Sequence, residues 1–226
     1  RGTIELEGRL VDASNTTLRA VITRHGVEAR CVYKPVAGER PLWDFPDGTL
    51  AGREYAAYLT SEATGWNLVP PTVLRDGPFG IGSVQRFVRF DLDEHSFTLL
   101  ERFPDEFRRI ATFDLVVNNA DRKAGHCLLG EDGRIHAIDH GLCFSTEPKL
   151  RTVLWDFAGE PIPEALRPDL TRLADGVRSG PLRGELSALL DDAELEALAG
   201  RAAATAELAT FPTPHPDRRA FPWPPI

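Results

Sequence analysis

The sequence predicts an α+β fold of two lobes, a β-rich N-terminal lobe followed by a mainly helical C-terminal lobe. Residues 4–11, 18–24 and 27–34 alternate apolar and polar side chains, which is the period of half-buried β-strands. Beyond about residue 91 most segments carry helix signals, such as Pro104 at a helix start. We therefore expect an N-terminal lobe over residues 1–90, a C-terminal lobe over residues 91–210 and a proline-rich tail over residues 211–226.

One helix and two further strands complete the predicted N-terminal lobe. A helical stretch from about residue 49 to 64 is followed by Gly65, which is typical of a helix end. Strands are expected at residues 72–75 and 83–90, joined by the glycine-rich turn DGPFGIG. His25-Gly26 supplies a tight turn between the second and third strands.

The C-terminal lobe is predicted to place a buried helix before a short hairpin. The run from Asp105 to about Val117 is apolar on nearly all sides, as in a buried helix. Two short strands, residues 127–129 and 135–138, follow it across the turn GEDG. Later helices are expected near residues 163–177, 181–190 and 192–209.

Charge and cysteine content narrow the class of protein. The chain has 34 acidic and 26 basic residues and a net charge of −8, which disfavours binding to nucleic acid and stable association with a membrane. No apolar run is long enough to span a bilayer, and no secretion leader is recognisable. Three cysteines without paired spacing indicate a reducing cytoplasm. Since the chain begins at Arg1 and contains no methionine, we expect its natural start to lie upstream.

Lys34 and Glu54 form the first candidate site because both are polar where the pattern predicts burial. Lys34 ends an apolar strand, and Glu54 shares a helix face with Leu50, Ala57 and Tyr58. A glutamate on that face is costly to desolvate unless a cation meets it, and Lys34 is the obvious partner. A strand lysine held by a helix glutamate is how kinases orient a cation onto nucleotide phosphates. The alternative for Lys34 is a side chain that extends to solvent.

Two aspartates form the second candidate site. Asp121 lies in the polar run NNADRKAGH, residues 118–126, and Asp139 ends the second strand of the following hairpin. The hairpin folds its ends together, so we expect the two carboxylates to converge. Such a pair suits Mg²⁺, which prefers one or two carboxylates together with phosphate oxygens and water. The alternative is a pair of turn-capping aspartates.

Several strings together resemble the phosphatidylinositol 3-/4-kinase-like superfamily, which has the protein-kinase-like fold. FDLVVNNADR followed by HAIDHGLCF resembles its catalytic core, and CVYKP with REYAAYL resembles its nucleotide lysine and glutamate. The resemblance covers roughly residues 30–145, about half the chain, and is nearest to a small actinobacterial branch. It implies an ATP-dependent kinase, with Mg²⁺ or Mn²⁺, that phosphorylates a hydroxyl on a soluble small molecule or a protein.

The resemblance also implies a role for individual residues. Lys34 contacts the nucleotide phosphates and Glu54 orients it, while Asp121 receives or positions the proton of the acceptor hydroxyl. Lys123 neutralises charge on the moving phosphoryl group, and Asp139 holds metal. The adenine edge is bound by the backbone of a hinge formed by Gln85, Phe87 and Val88.

Two departures from the superfamily pattern leave an alternative open. Five residues after Asp121, where the superfamily has a metal-binding asparagine, stands His126, which suits a softer ion or marks a lost second metal. The first connection, DASNTT, lacks the glycines of a phosphate-covering loop. Its nucleotide contacts are expected from Ser14, Asn15 and Thr17. The alternative is a nucleotide-binding pseudokinase or scaffold, whose proline-rich tail docks on a partner protein.

A different class of protein is a zinc protein. It would use the histidines and cysteines clustered in the second half of the chain, His126, Cys127, His136, His140 and Cys143. Against it, the chain has no C-x-x-C pair, and His136 lies in the middle of a predicted strand.

Overall fold

The computed structural model describes residues 2–10 and 15–226 and confirms the α+β fold. The described residues up to Arg86 form an antiparallel sheet with one helix, and the remainder is mainly helical. No helix among the described residues is long and apolar enough to cross a membrane.

Five antiparallel strands form the N-terminal sheet in the order β1-β2-β3-β5-β4. Their bounds are β1 Thr3–Arg9, β2 Leu18–Arg24, β3 Val27–Pro35, β4 Thr72–Gly77 and β5 Gly80–Arg86. The alternation places Leu18, Ala20, Cys31 and Tyr33 in a small buried cluster on one face of the sheet. The apolar positions of the period-2 pattern are therefore the ones that are buried in β2 and β3.

The strand predicted at residues 83–90 was wrong at both ends. β5 begins at Gly80 and ends at Arg86, because Gly77 pairs with Gly80 and leaves a turn of only two residues. Gly82, predicted to lie in the turn, instead faces Pro35 of β3. A Cβ atom at Gly82 would lie 2.4 Å from the carbonyl oxygen of Lys34. The glycine therefore allows β5 to approach the backbone that carries Lys34.

Helix α1 (Leu50–Thr64) lies between β3 and β4 in the chain and carries Glu54. It ends at Gly65 in the left-handed conformation, as predicted. The Glu39 carboxylate accepts hydrogen bonds from the N–H groups of Leu50 and Ala51, so it caps the start of the helix. This cap comes from eleven residues upstream and was not predicted.

Buried Arg53 ties α1 to the C-terminal lobe. Its guanidinium donates to the Cys143 carbonyl at 2.8 Å and pairs with Glu194. Because Arg53 directly precedes Glu54 on the helix, this anchor also fixes the register of Glu54 relative to the second lobe.

The C-terminal lobe shares one large apolar core with helix α1, whose Ala56 and Ala57 belong to it. Its elements are α2 Ser96–Leu99, α3 Pro104–Val117, β6 Cys127–Leu129, β7 Ile135–Ala137, α4 Arg167–Arg178, α5 Pro181–Leu186 and α6 Asp192–Glu207. Phe107, Ile110 and Phe113 of α3 are fully buried, as its all-round apolar pattern predicted. The helix predicted at residues 181–190 is shorter, and α2 was missed because it is only one turn long.

The proline-rich tail, residues 211–226, contains no helix or strand and lies against the C-terminal lobe. Phe211 is buried, whereas Phe221 and Trp223 are largely exposed, so aromatic character alone did not predict which residues pack. Backbone hydrogen bonds to Thr152 and Ala124 hold its last residues.

Replacement of Gly82 by alanine tests the close approach of β5 to β3. We expect Gly82→Ala to lower the free energy of unfolding by about 1–3 kcal/mol, because the new methyl group meets rigid backbone. Gly200→Ala, within α6, is the control, since its new methyl group would have no neighbouring atom within 4 Å. This change should raise stability by about 0.5–1 kcal/mol. Urea denaturation measures both, and equal effects at the two glycines would contradict the packing at Gly82.

Candidate active site

Three charged side chains from three elements meet between the two lobes. Lys34, near the end of β3, pairs with Glu54 of α1 and with Asp139, which follows β7. The distance from Lys34 Nζ to Asp139 Oδ1 is 3.0 Å. The Glu54 side chain is buried, whereas the Asp139 side chain is 47% exposed. The cluster therefore has a buried end at Glu54 and an open end at Asp139.

Burial and charge act in opposite directions on this cluster. Burial lowers the pKa of Lys34, but the Asp139 and Glu54 carboxylates outweigh it and raise that pKa above the ordinary value. Burial would raise the pKa of Asp139, but the Lys34 ammonium holds it well below its usual range. The ammonium of Lys34 and the carboxylate of Asp139 are therefore both charged near neutral pH.

Backbone geometry brings Asp139 to the cluster. Asp139 has a left-handed φ of 59°, a conformation in which a short polar side chain is tolerated. The next residue, His140, donates its N–H to Glu54 Oε2 at 3.1 Å. One carboxylate of α1 thus binds the backbone after β7 and, through its other oxygen, Lys34.

Asp121 lies near this cluster with Lys123 beside it. The distance from Lys123 Nζ to Asp121 Oδ2 is 3.6 Å, and Asp121 N–H donates to Asn119 Oδ1 at 2.9 Å. Burial raises the pKa of Asp121 to about 6, while Lys123 lowers it and the charge of Asp139 raises it. The charge of Asp139 thus acts on Asp121, and the convergence of the two carboxylates on one cation stays a prediction. A carboxylate poised near neutral pH can accept a proton.

His126 contacts the metal candidate Asp139. Its Nε2 lies 3.3 Å from Asp139 Oδ2, and its Nδ1 accepts a hydrogen bond from the Lys123 N–H at 3.4 Å. Burial lowers the pKa of His126 to about 4, so the ring is neutral at pH 7. With Nδ1 as acceptor, the ring proton is on Nε2 and faces Asp139.

This donor set fits a divalent cation in part. An exposed carboxylate such as Asp139 is a suitable ligand for Mg²⁺ or Mn²⁺. Two adjacent ligand atoms around one octahedral ion lie about 3 Å apart, close to the 3.3 Å between His126 Nε2 and Asp139 Oδ2. His126 can bind such an ion through Nε2 only after the proton there moves, so Asp139 is the stronger ligand candidate.

The zinc alternative is wrong for the part of the chain that the structure describes. There, no three His, Cys, Asp or Glu side chains are grouped to hold a metal ion. His136 faces Asp132 at 3.1 Å instead. Burial raises the pKa of Cys127 to about 12 and that of Cys143 well above its usual value.

The hinge candidates lie at and just beyond the end of β5. Gln85 is still paired within the sheet, and its side chain donates to Thr72 Oγ1 at 2.9 Å. Phe87 N–H donates to the Arg30 carbonyl at 3.0 Å. Within residues 2–10 and 15–226, Val88 N–H has no protein acceptor, and the residue is buried.

The candidates in the first connection are engaged locally. Asn15 Oδ1 accepts from the Arg40 N–H at 2.9 Å, and the buried Thr17 hydroxyl donates to the Asn15 carbonyl at 3.4 Å. These contacts hold the connection beside the segment that follows Lys34. Ser14 lies outside the described residues.

Arg122 organises the site and was not among the predicted residues. It is fully buried and binds both carboxylate oxygens of Asp114, on α3, at 2.9 Å each. It also donates to the Ile138 carbonyl at 2.8 Å and faces His140 Nε2 at 2.7 Å. Arg122 therefore holds the residues on either side of Asp139 from within the loop that carries Asp121.

A signal for Arg122 was present in the sequence. Asp114 breaks the all-round apolar pattern of the predicted buried helix, and an aspartate there requires a cation. Asn119 also donates to Asp114, at 3.0 Å, so three polar residues of one stretch satisfy one another.

The sequence of this chain matches those of known proteins. A family model described as "Phosphatidylinositol 3- and 4-kinase" matches residues 67–180, which include Asp121 and Asp139. Protein Rv2133c of Mycobacterium tuberculosis is 41% identical, over 99% of this chain and 92% of its own length. Phosphatidylinositol 4-kinase gamma 4 of Oryza sativa subsp. japonica is 32% identical over 48% of this chain, a region that spans 22% of its own length.

A solved structure supports the fold. The Helicobacter pylori proinflammatory kinase CtkA matches with a TM-score of 0.54, over 92% of this chain and 93% of its own. Its sequence identity is 12%, so the likeness concerns the fold alone.

A double-mutant cycle tests the role of Arg122. We expect Arg122→Met and Asp114→Leu each to lower the free energy of unfolding by about 3–5 kcal/mol, because each leaves a buried charge unpaired. The double variant should lose markedly less than the sum, since neither charge remains. Arg108→Met, whose partner Glu160 is 42% exposed, is the control and should cost less than about 1 kcal/mol. Urea denaturation measures all four variants, and additive losses would show that the pair is not coupled.

Proposed function

The chain belongs to the phosphatidylinositol 3- and 4-kinase family, and on that premise we propose that it is an ATP-dependent phosphotransferase acting on a hydroxyl of a soluble small molecule or a protein. The observation that carries the proposal is the contact of Lys34 with both Glu54 and Asp139. Family membership makes kinase chemistry the first expectation, and this cluster supplies the charges that such chemistry requires.

Lys34 is proposed to bind the nucleotide phosphates. Its ammonium is held by Glu54 at the buried end of the cluster and reaches Asp139 at the open end. A cation fixed in advance stabilises phosphate charge without reorganisation at the moment of reaction. The adenine edge is proposed to bind the Val88 N–H beyond β5, with Gln85 and Phe87 shaping that strand end. Asn15 and Thr17 are proposed to line the phosphate side.

Asp121 is proposed to act as the base. The acceptor hydroxyl oxygen forms a bond to the terminal phosphorus, and the bond from that phosphorus to the bridging oxygen of ADP breaks. The hydroxyl proton passes to Asp121, and Lys123, 3.6 Å from it, offsets negative charge on the phosphoryl oxygens.

Asp139 is proposed to hold the divalent ion, with His126 as a second ligand for a softer ion such as Mn²⁺. When bound, such an ion neutralises charge on the phosphate oxygens. The residues themselves provide the remainder of the site: Lys34 fixes one oxygen of Asp139, and the second oxygen faces His126.

A nucleotide-binding scaffold without turnover is the second candidate. The pairing of His126 Nε2 with Asp139 Oδ2 favours it, because this contact competes with a metal for the same oxygen. Turnover distinguishes the two candidates, since both bind nucleotide.

Thermal denaturation with nucleotide and metal tests the proposal. We expect ATP with Mn²⁺ to raise the Tm by about 5–10 °C at roughly 100 times its Kd. Lys34→Met should abolish the shift, whereas Arg24→Met, an exposed change of equal charge, should preserve it. An equal shift in wild type and Lys34→Met would contradict the assignment of Lys34.

A measurement of ATP turnover in the wild type and in Asp121→Asn distinguishes an enzyme from a scaffold. ATP hydrolysis or autophosphorylation that is lost in Asp121→Asn, while the thermal shift remains, supports the enzyme. A nucleotide-induced shift in the wild type with no turnover in Mg²⁺ or Mn²⁺ supports the scaffold.

The pH dependence of turnover tests Asp121 as the base. Because its pKa is raised to about 6, turnover should fall below that pH as the carboxylate becomes protonated. Lys123 lowers this pKa. Lys123→Met should therefore move the acidic limb of the pH–turnover profile to higher pH, and Lys123→Arg should leave it in place. An acidic limb that does not respond to the charge at residue 123 would exclude Asp121 as the titrating group.

A further inference from the structure

The C-terminal tail lies alongside the loop that carries Asp121. Arg122 N–H donates to the Arg151 carbonyl at 3.0 Å, which pairs this loop with the segment 148–155. On the other side of that segment, Thr152 N–H donates to the Ala220 carbonyl at 3.0 Å. The Asp121 loop, segment 148–155 and the tail are therefore three adjacent stretches of chain.

Two further contacts fix the tail in this position. The Trp155 indole N–H also donates to the Ala220 carbonyl, at 2.9 Å. Ala124, one residue beyond Lys123, donates its N–H to the Pro225 carbonyl at 2.8 Å. The tail thus reaches the catalytic loop itself.

Segment 148–155 and the tail enclose a cavity of about 540 Å³. This volume lies within the range of about 300–1,000 Å³ that is typical of small-molecule sites. Its walls include three arginines, one lysine and two tryptophans, namely Arg151, Arg218, Arg219, Lys149, Trp43 and Trp155. Among the described residues, no aspartate or glutamate lines it.

The arginines of this cavity are not neutralised by the described part of the protein. Lys149 is paired with Asp44 at 2.8 Å, but Arg151, Arg218 and Arg219 form no ion pair with a carboxylate in residues 2–10 and 15–226. Arg218 and Arg219 are exposed, and Arg219 Nε donates to the Phe221 carbonyl at 3.0 Å. Three guanidinium groups without a carboxylate partner around one cavity favour the binding of an anion.

The cavity adjoins the catalytic centre through Arg151. Arg151 N–H donates to the Asn119 carbonyl at 2.9 Å, two residues before Asp121. Burial raises the pKa of Asp121, and the positive charge of Arg151 is among the charges that lower it, so the two side chains interact electrostatically. Through the backbone of Arg151 and Asn119, the cavity therefore lies next to the loop that carries Asp121.

Resting on the proposed function, we propose that this cavity binds a phosphate group of the acceptor molecule and that the tail arginines Arg218 and Arg219 complete the site. Guanidinium groups bind phosphate through paired hydrogen bonds. An acceptor that carries a phosphate group therefore fits this cavity better than an uncharged acceptor does. Trp43 is 93% exposed and Trp155 is half-buried, so both offer apolar surface to the organic part of such a molecule.

Titration with glycerol 3-phosphate tests the proposal. Calorimetry gives the Kd. NMR chemical-shift changes of the Trp155 indole N–H and of the cavity arginines' guanidinium N–H groups locate the binding site. A non-hydrolysable ATP analogue with Mn²⁺ is present, so that a nucleotide site is filled. We expect Arg218→Ala/Arg219→Ala to weaken binding at least about tenfold, since two charge-assisted hydrogen-bond donors are removed. The exposed pair Arg9→Ala/Arg24→Ala carries the same charge change and should alter the Kd less than about twofold.

The outcomes separate this inference from the proposed function. Equal Kd values in both double variants, or shifts confined to the surroundings of Lys34, would overturn the phosphate site. The ATP-induced rise in Tm is measured on the same variants and should be unchanged in Arg218→Ala/Arg219→Ala. If ATP does not raise the Tm of the wild type, the proposed function is overturned instead.

Vesicles distinguish a lipid headgroup from a soluble phosphate. Phosphatidylinositol in phosphatidylcholine vesicles is compared with phosphatidylcholine alone and with glycerol 3-phosphate. Binding to either phosphate source that is lost in Arg218→Ala/Arg219→Ala supports the site, and the one that binds identifies the source. Absence of binding to both sources overturns the proposal.

Discussion

The pairing of Arg122 with Asp114 is the interaction on which the geometry of the site depends. Both groups are buried, and the guanidinium makes further bonds to the Ile138 carbonyl and His140. A charge pair at this depth is not a source of large net stability, because desolvation offsets most of the attraction. Its consequence is positional: it fixes the loop of Asp121 and the loop of Asp139 to the same helix, α3, and so to each other.

Charged side chains also join the N-terminal lobe to the loops of Asp121 and Asp139. Glu54 binds Lys34 on one side and the His140 N–H on the other, while its neighbour Arg53 reaches Glu194 in α6. Helix α1 is therefore held from both lobes. Under the proposed function, phosphate would replace part of the Lys34–Asp139 contact, while the buried Glu54 keeps the lysine in place.

Local patterns in the sequence predicted most of the helices and strands and one charged pair, Lys34 with Glu54. The period-2 alternation predicted β1 to β3, and a glutamate on an apolar helix face predicted a cation partner for Glu54. Contacts that depend on tertiary structure were not accessible in this way. Glu39 caps a helix eleven residues away, and Gly82 serves close strand packing where the glycine-rich string indicated a turn. The tail contacts Ala124 about a hundred residues away in the chain, and no local signal specifies such a pairing.

A crystal structure with a non-hydrolysable ATP analogue and Mn²⁺ tests the central claim most directly, because the anomalous signal of manganese locates the ion independently of the protein chain. We predict manganese bound to the Asp139 carboxylate, with phosphate oxygens within hydrogen-bond distance of Lys34 Nζ. Manganese bound away from Asp139, or a nucleotide whose phosphates do not reach Lys34, would contradict it.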